Sequence, residues 1–178
     1  MDPASFLQGQ TRETTIRRDA EGQWFYDGEP LDHPNLTRAF DRWMSRNVSG
    51  HRVPGYSIVT LSLKPTGIAP GDATDRQMER IADLADSYSF GEIRVTHEQN
   101  LVLADVEKEK LFALWEAARD AGLATPNIGM LTDIICCPGG DYCSLANAKS
   151  IPVAEAIQRR FDDLDYLHDL GDIHLNIS

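Results

Sequence analysis

All three cysteines of the 178-residue chain, Cys136, Cys137 and Cys143, lie within eight positions in the segment DIICCPGGDYCSLANAK. Clustered thiols in a chain otherwise free of cysteine are a redox pair, a set of metal ligands, or small buried hydrophobes that happen to coincide. The five residues between Cys137 and Cys143 include Pro138, Gly139 and Gly140. A proline followed by two glycines lets the backbone curl tightly, which suits thiolates converging on an iron–sulfur cluster. Four thiolates normally complete such a cluster, and this chain has three cysteines. Cys136 abuts Cys137, and neighbours in an extended strand point to opposite faces. Only one of them can aim at a given site, and Cys136 is expected to pack as a small hydrophobe. For Cys137 and Cys143, spacing alone leaves ligation and coincidence level.

The charge balance narrows the partners. Lys and Arg number 17 against 28 Asp and Glu, a net charge of -11, so counterion release on a phosphate backbone has little to draw on and nucleic acid is excluded as a partner. The opening MDPASFLQGQ has neither a basic segment nor an apolar core, and no apolar run reaches membrane-spanning length. The expectation is a cytoplasmic protein without a membrane partner. Thiols stay reduced in that compartment, which turns a tight cysteine cluster toward metal binding or catalysis rather than a structural disulfide. At 42% hydrophobic and 25% charged residues the composition is that of a globular chain, long enough for one packed domain with an appendage.

The elements that must position the cysteines are legible by periodicity. Turn-favouring Glu21-Gly22 and Asp27-Gly28 predict a small hairpin after a polar start, residues 1 to about 12. Behind Pro34, the helical spacing of Leu36, Phe40, Trp43 and Met44 predicts an amphipathic helix. YSIVTLSLK reads as a strand with Val59, Leu61 and Leu63 on one side. Thr74 and Gln77 form a capping box opening a helix with Met78, Ile81, Leu84 and Ala85 on one stripe. Strands EIRVT and LVLADV follow, then a helix capped by Asp105 that carries Leu111, Leu114, Trp115 and Ala118 and stops at Gly122. With TDIIC as a fourth strand, the order is the βαββαβ of a ferredoxin-like sandwich, an α+β fold. From Cys143 onward the pattern is helical with a break at Pro152, and DIHLNIS ends as an alternating strand.

The segments VTHEQNLVLADV, GLATPNIGMLTDIICCPGGDYCSLANAKSIPVAEAIQRRF and DLGDIHLNIS resemble the sulfite and nitrite reductase family, specifically the second pseudo-repeat of these siroheme and [4Fe-4S] hemoproteins. The resemblance runs from about His51 to Ser178 and implies a ferredoxin-like half-domain followed by the start of a siroheme-binding α/β subdomain. In that family a Cys-x5-Cys loop and a later Cys-x3-Cys loop bind the cluster, so Cys137 and Cys143 match cluster ligands. The Thr-x-x-Gln-Asn segment approaches the siroheme, and Thr96, Gln99 and Asn100 match it. Arg94 lies one strand-repeat earlier on the face of Thr96, and Asn147 and Lys149 follow Cys143 closely. Arg94 and Asn147 are candidate cofactor contacts, against the alternative of solvated or capping side chains, and His97 reads as an exposed turn residue.

The resemblance divides the chain into an N-terminal arm, 1–50, a ferredoxin-like half-domain, 51–130, and a partial cluster-binding and siroheme-binding subdomain, 131–178. It implies a piece of a siroheme reductase that, in full, carries out the six-electron reduction of sulfite to sulfide or nitrite to ammonia, with electrons from a ferredoxin or flavoprotein. No Cys-x3-Cys loop is present before the sequence stops at Ser178, so the chain is expected to be truncated, to hold neither cofactor stably and to be inactive alone. The alternatives are a non-enzymatic ferredoxin-like module and a zinc or redox site at the three cysteines.

Overall fold

In the computed structural model, which describes residues 16–21, 23–26, 28–30 and 33–178, the strand read from Tyr56 is β5, Tyr56–Leu61. Its alternation holds: Val59, Leu61 and Leu63 are all buried. The capping box also forms. The amide of Gln77 donates to Thr74 Oγ1 at 3.2 Å and that of Thr74 to Gln77 Oε1 at 3.0 Å, opening α2, Asp75–Tyr88. Ile81, Leu84 and Ala85 turn into the core, whereas Met78, at the start of the stripe, stays half exposed. The readings on residues 1 to 12, Gly22 and Asp27 lie outside the described residues.

Ahead of these, β1 (Ile16–Arg18), β2 (Trp24–Tyr26) and β3 (Glu29–Pro30) pair antiparallel in sequence order. Helix α1, Pro34–Asn47, begins with its proline in the first turn, where a missing N–H costs nothing. It runs directly into a short strand, β4, Val48–Gly50.

The main sheet has the order β4-β5-β7-β6, antiparallel throughout, with β6 at Arg94–Val95 and β7 at Leu101–Glu107. Around β5, β7 and β6 this is the ferredoxin-like arrangement, but the outer position beside β5 is filled by β4 from upstream. TDIIC does not join this sheet. Its Ile135–Cys136 portion, β8, pairs in parallel with β9, Asn176–Ile177, in a separate two-stranded sheet. The EIRVT strand is shortened to Arg94–Val95.

Asp105 is not a helix cap. It sits inside β7 and lies 3.1 Å from His51 Nε2, while a 3-10 turn at Lys108–Lys110 leads into α3, Leu111–Asp120. Leu111, Leu114, Trp115 and Ala118 are buried as the spacing requires, and Gly122 ends the helix at φ +73°. Helices α1, α2 and α3 share one core with Val59, Leu61 and Leu103, centred on Phe40, whose ring meets Trp24, Trp43, Phe112 and Trp115 at 4.8 to 5.9 Å.

Beyond α3 the helical reading from Cys143 fails until residue 151. Pro152 does not break a helix but lies in the first turn of α4, Ile151–Arg160, for the same reason that Pro34 opens α1. α5, Leu164–Leu170, follows, capped by Asp163, whose carboxylate accepts from the amides of Asp165 and Tyr166. A second, smaller core joins Ile134, Cys136 and Ala154, flanked by Ile151, Ile157, Leu175 and Ile177.

Candidate functional site

β8 hands the chain to the cysteine loop. Cys136 points inward, 3% exposed, and Cys137, its neighbour in extended backbone, points outward. Cys137's amide donates to Ile177 O at 2.8 Å, tying the start of the loop to β9. The amides of Tyr142 and Cys143 return to Gly139 O at 3.2 and 2.8 Å, so the Cys-x5-Cys segment closes on itself through one carbonyl. Gly139 has φ +61°, and a Cβ there would stand 2.8 Å from Ala148 O and 2.9 Å from Ser150 N. No side chain fits that approach. Gly140 donates to Ala148 O at 2.8 Å, pressing the loop onto the segment that leads to α4.

The Thr96 to Asn100 turn is tight as well. Thr96 N donates to Asn100 O at 2.9 Å, Gln99 N to Thr96 O at 3.2 Å, and Asn100 N to Thr96 Oγ1 at 3.2 Å. Gln99 takes the left-handed conformation, φ +59°, which a residue with a Cβ adopts only when its surroundings hold it there. What holds it is the cysteine segment. Gln99 Nε2 donates to Cys136 O at 3.0 Å and Gln99 Oε1 accepts from Cys136 N at 2.9 Å. Gly71 lets this pair approach, because a Cβ on it would stand 3.0 Å from Gln99 Cβ. The turn and the cysteine loop, 37 residues apart, are thus joined through one side-chain amide.

Asn100 is spent in the same way. Its Oδ1 accepts from Leu63 N at 3.2 Å and its Nδ2 donates to Asp133 Oδ1 at 2.9 Å. Asp133 also accepts from Lys64 Nζ at 2.7 Å and Gly129 N at 2.9 Å. Lys64 is 1% exposed, and its ammonium donates to Glu98 O as well. Sequence reasoning passed over this pair because a lysine ending an apolar strand normally reaches solvent. The local signal was position alone: Lys64 ends the YSIVTLSLK segment, and Asp133 directly precedes the apolar Ile134, Ile135 and Cys136. Asn127 completes the network, accepting from Ser62 Oγ at 2.7 Å and donating to Lys64 O at 3.1 Å.

The remaining candidates lie outside this network. Arg94 is exposed, 2.6 Å from Glu92, whose hydrogen bond and then charge raise its pKa above the ordinary value. Asn147 is exposed. Lys149 pairs with Asp141 inside the loop at 2.7 Å, a hydrogen bond that raises its pKa. His97 is exposed, 3.0 Å from Glu98.

Gln99, Cys136, Pro138 and Tyr142 share the wall of a cleft of about 520 Å³ with Ala69, Pro70, Gly71 and Ile151. Tyr142 and Leu145, flanking Cys143, are 79% and 89% exposed, a large apolar surface beside the thiols. Burial, and secondly the neighbouring Cys137, push the Cys136 thiol up, and its Sγ donates to Cys137 O at 3.3 Å. Cys136 thus faces the small core, on the opposite side of the strand from Cys137. Cys137 and Cys143 are free thiols, exposed and half-buried respectively. Two thiols fit half a cluster. Among the described residues no group of three or more His, Cys, Asp or Glu is placed to hold a metal. None of the described helices is long and apolar enough to cross a membrane.

Residues 54–121 match the model of the nitrite/sulfite reductase ferredoxin-like half domain. The chain is similar to the chloroplastic ferredoxin–nitrite reductase of Betula pendula, 31% identical over 128 residues, which is 67% of this chain and 21% of that one. The chloroplastic ferredoxin–nitrite reductase of Zea mays is 32% identical over 67% of this chain and 22% of its own. The chain thus spans about a fifth of the length of these curated relatives. Among solved structures, the NirA protein of Mycobacterium tuberculosis shares the fold, with a TM-score of 0.56 and 24% identity over 74% of this chain and 24% of that one. With the half-domain topology around β5, β7 and β6 and sequence likeness that extends well past it, the chain belongs to the nitrite and sulfite reductase family.

Proposed function

We propose that the chain is part of a siroheme-dependent nitrite reductase, in which residues 51–130 form a ferredoxin-like half-domain and residues 131–178 begin the cofactor-binding subdomain. The observation that carries this reading is the Gln99–Cys136 clamp, which brings the turn matching the siroheme segment and the loop matching the first cluster-ligand pair to one cleft. Nitrite is preferred over sulfite, and ferredoxin over a flavoprotein as donor, because the curated relatives are ferredoxin–nitrite reductases. Cys137 and Cys143 supply two thiolates of a four-thiolate cluster, and the other two come from cysteines this sequence does not contain. Cluster and siroheme, when bound, would supply the relay for the donor's electrons and the metal centre at which the anion is reduced.

The chain's own residues position and protect. Gly139 and Gly140 shape the loop so that its two free thiols stand at its ends. Cys136 packs against Ile134 and Ala154. Gln99 and Asn100 hold the loop rather than meet the macrocycle with their amides, since each is already bonded within the protein. Thr96, Arg94 and Asn147 are the matched or neighbouring groups left to approach the macrocycle and its carboxylates. Anaerobic reconstitution with iron, sulfide and an excess of a small-molecule thiol, which stands in for the two thiolates this chain lacks, tests the ligand assignment. Iron retention is expected to fall to the blank in Cys137→Ser and Cys143→Ser and to survive in Cys136→Ser. Equal loss in all three variants, or no loss in any, overturns it. Viologen-driven nitrite reduction by the chain alone is expected to match the apo blank.

A further inference from the structure

Away from the cysteines, a groove of about 360 Å³ opens between α1, α3 and the start of α5. Arg38 and Arg42 reach it from α1, four residues and so about one turn apart on the same helix face, and Arg119 reaches it from the last turn of α3. Trp115, Asn35 and Leu164 contribute to the walls, and none of the described lining residues is a carboxylate. That is unexpected in a chain with 28 acidic against 17 basic residues. A merely solvated face would carry the chain's average excess of acids.

The three guanidiniums are differently held. Arg119 lies 4.8 Å from the centre of the Trp115 ring, a contact that orients its plane, and 3.6 Å from Asp120. Arg42 pairs with Asp165 from α5. Both carboxylates are largely exposed, so water and salt screen them and leave the arginines able to bind a further anion. Arg38 is exposed and has no ion pair among the described residues. Planar guanidinium forks match the oxygens of a tetrahedral anion in pairs. We propose that this groove binds a phosphate-class oxyanion, free or carried on a small organic molecule, through Arg38 and Arg119, with Arg42 held beside them by Asp165. The proposal rests on the groove alone and is independent of the role of the cysteines.

Titrating the full chain with inorganic phosphate, pyrophosphate and glucose 6-phosphate at matched ionic strength tests it, by calorimetry and by tryptophan emission. The expected result is saturable binding, weakened about tenfold or more by Arg38→Ala and by Arg119→Ala while circular dichroism stays native. Arg38→Ala removes an exposed side chain with no ion pair, so it isolates binding from folding. Arg119→Lys, which keeps the charge but not the flat stack, is expected to bind less well than the parent chain. Tighter binding of glucose 6-phosphate than of inorganic phosphate identifies an organic carrier, and the reverse identifies the free anion. Absence of saturation into the millimolar range, or affinity unchanged in both alanine variants, overturns the proposal.

Discussion

Around Phe40, four aromatic rings from β2, α1 and α3 close on a fully buried side chain, whereas around Cys136 the cysteine segment gathers, among the described residues, Ile134 and Ala154 as buried partners. The first region derives its order from apolar area, and its strands and helices follow from periodicity. The second has a sheet of two residues per strand, leaves Tyr142 and Leu145 exposed and buries Gln158 with neither side-chain polar atom bonded. Its position is fixed by polar pins from the first region: Gln99 on Cys136, and Asn100, Lys64 and Gly129 on Asp133. Each neutral pin contributes on the order of 1 kcal/mol, and each costs more than that if one partner is removed. Where a cofactor-binding segment has little core of its own, directional bonds specify where its ligands stand.

The contrast is tested most severely by Phe40→Ala. Deleting a fully buried ring among four others is expected to destabilise the whole chain by about 5 kcal/mol, read from urea unfolding by far-ultraviolet circular dichroism. A loss below about 2 kcal/mol, under the usual range for a buried aromatic, would mean that the body does not depend on this cluster.

Next in size is the charged pin. Asp133→Ala strands the Lys64 ammonium in the interior against one carbonyl, and is expected to cost about 3 to 4 kcal/mol. Replacing both partners, Lys64→Met with Asp133→Leu, removes the stranded charge and is expected to recover part of that loss. A double variant no more stable than the single one would show that the pair acts through Asn100 and Gly129 rather than through its charges.

The same contrast explains what the sequence made legible. β5, α2 and α3 were readable because alternation, a capping box and helical spacing are local, and the fold class follows from them. β4 was not, because Val48, Ser49 and Gly50 carry no pattern and pair only once α1 delivers them beside β5. TDIIC has strand composition, but composition cannot say which sheet a strand joins, and Cys136 found Ile177 instead. In the site, the inward Cys136 and outward Cys137 followed from strand geometry. Gln99 and Asn100 were recognisable as important, yet their bonding was not, because the partners of a side-chain amide are long-range facts. The Lys64–Asp133 pairing was hidden for the same reason: the place of each residue beside an apolar run is local, but its partner is not.

The smallest expected effect addresses the clamp itself. Gln99→Asn keeps a residue that tolerates the left-handed backbone but is one methylene too short to meet both Cys136 N and Cys136 O. Losing these two bonds is expected to cost about 1 to 2 kcal/mol, felt in the cysteine segment and not in global unfolding. Amide exchange at Cys136 and Cys137 should quicken by about tenfold, the factor corresponding to about 1.4 kcal/mol. The thiol gives a second reading with a definite sign. Burial holds the native Cys136 pKa above the ordinary thiol value, so its thiolate, the form that alkylates, is scarce until the pH exceeds the ordinary range. Loosening the clamp admits water and lowers that pKa, so the pH profile of Cys136 alkylation by iodoacetamide should shift toward lower pH in Gln99→Asn. If instead the Cys136 profile stays where it is and the amides still exchange slowly, then Gln99 does not hold the loop and the polar pinning of the cysteine segment rests on Asp133 alone.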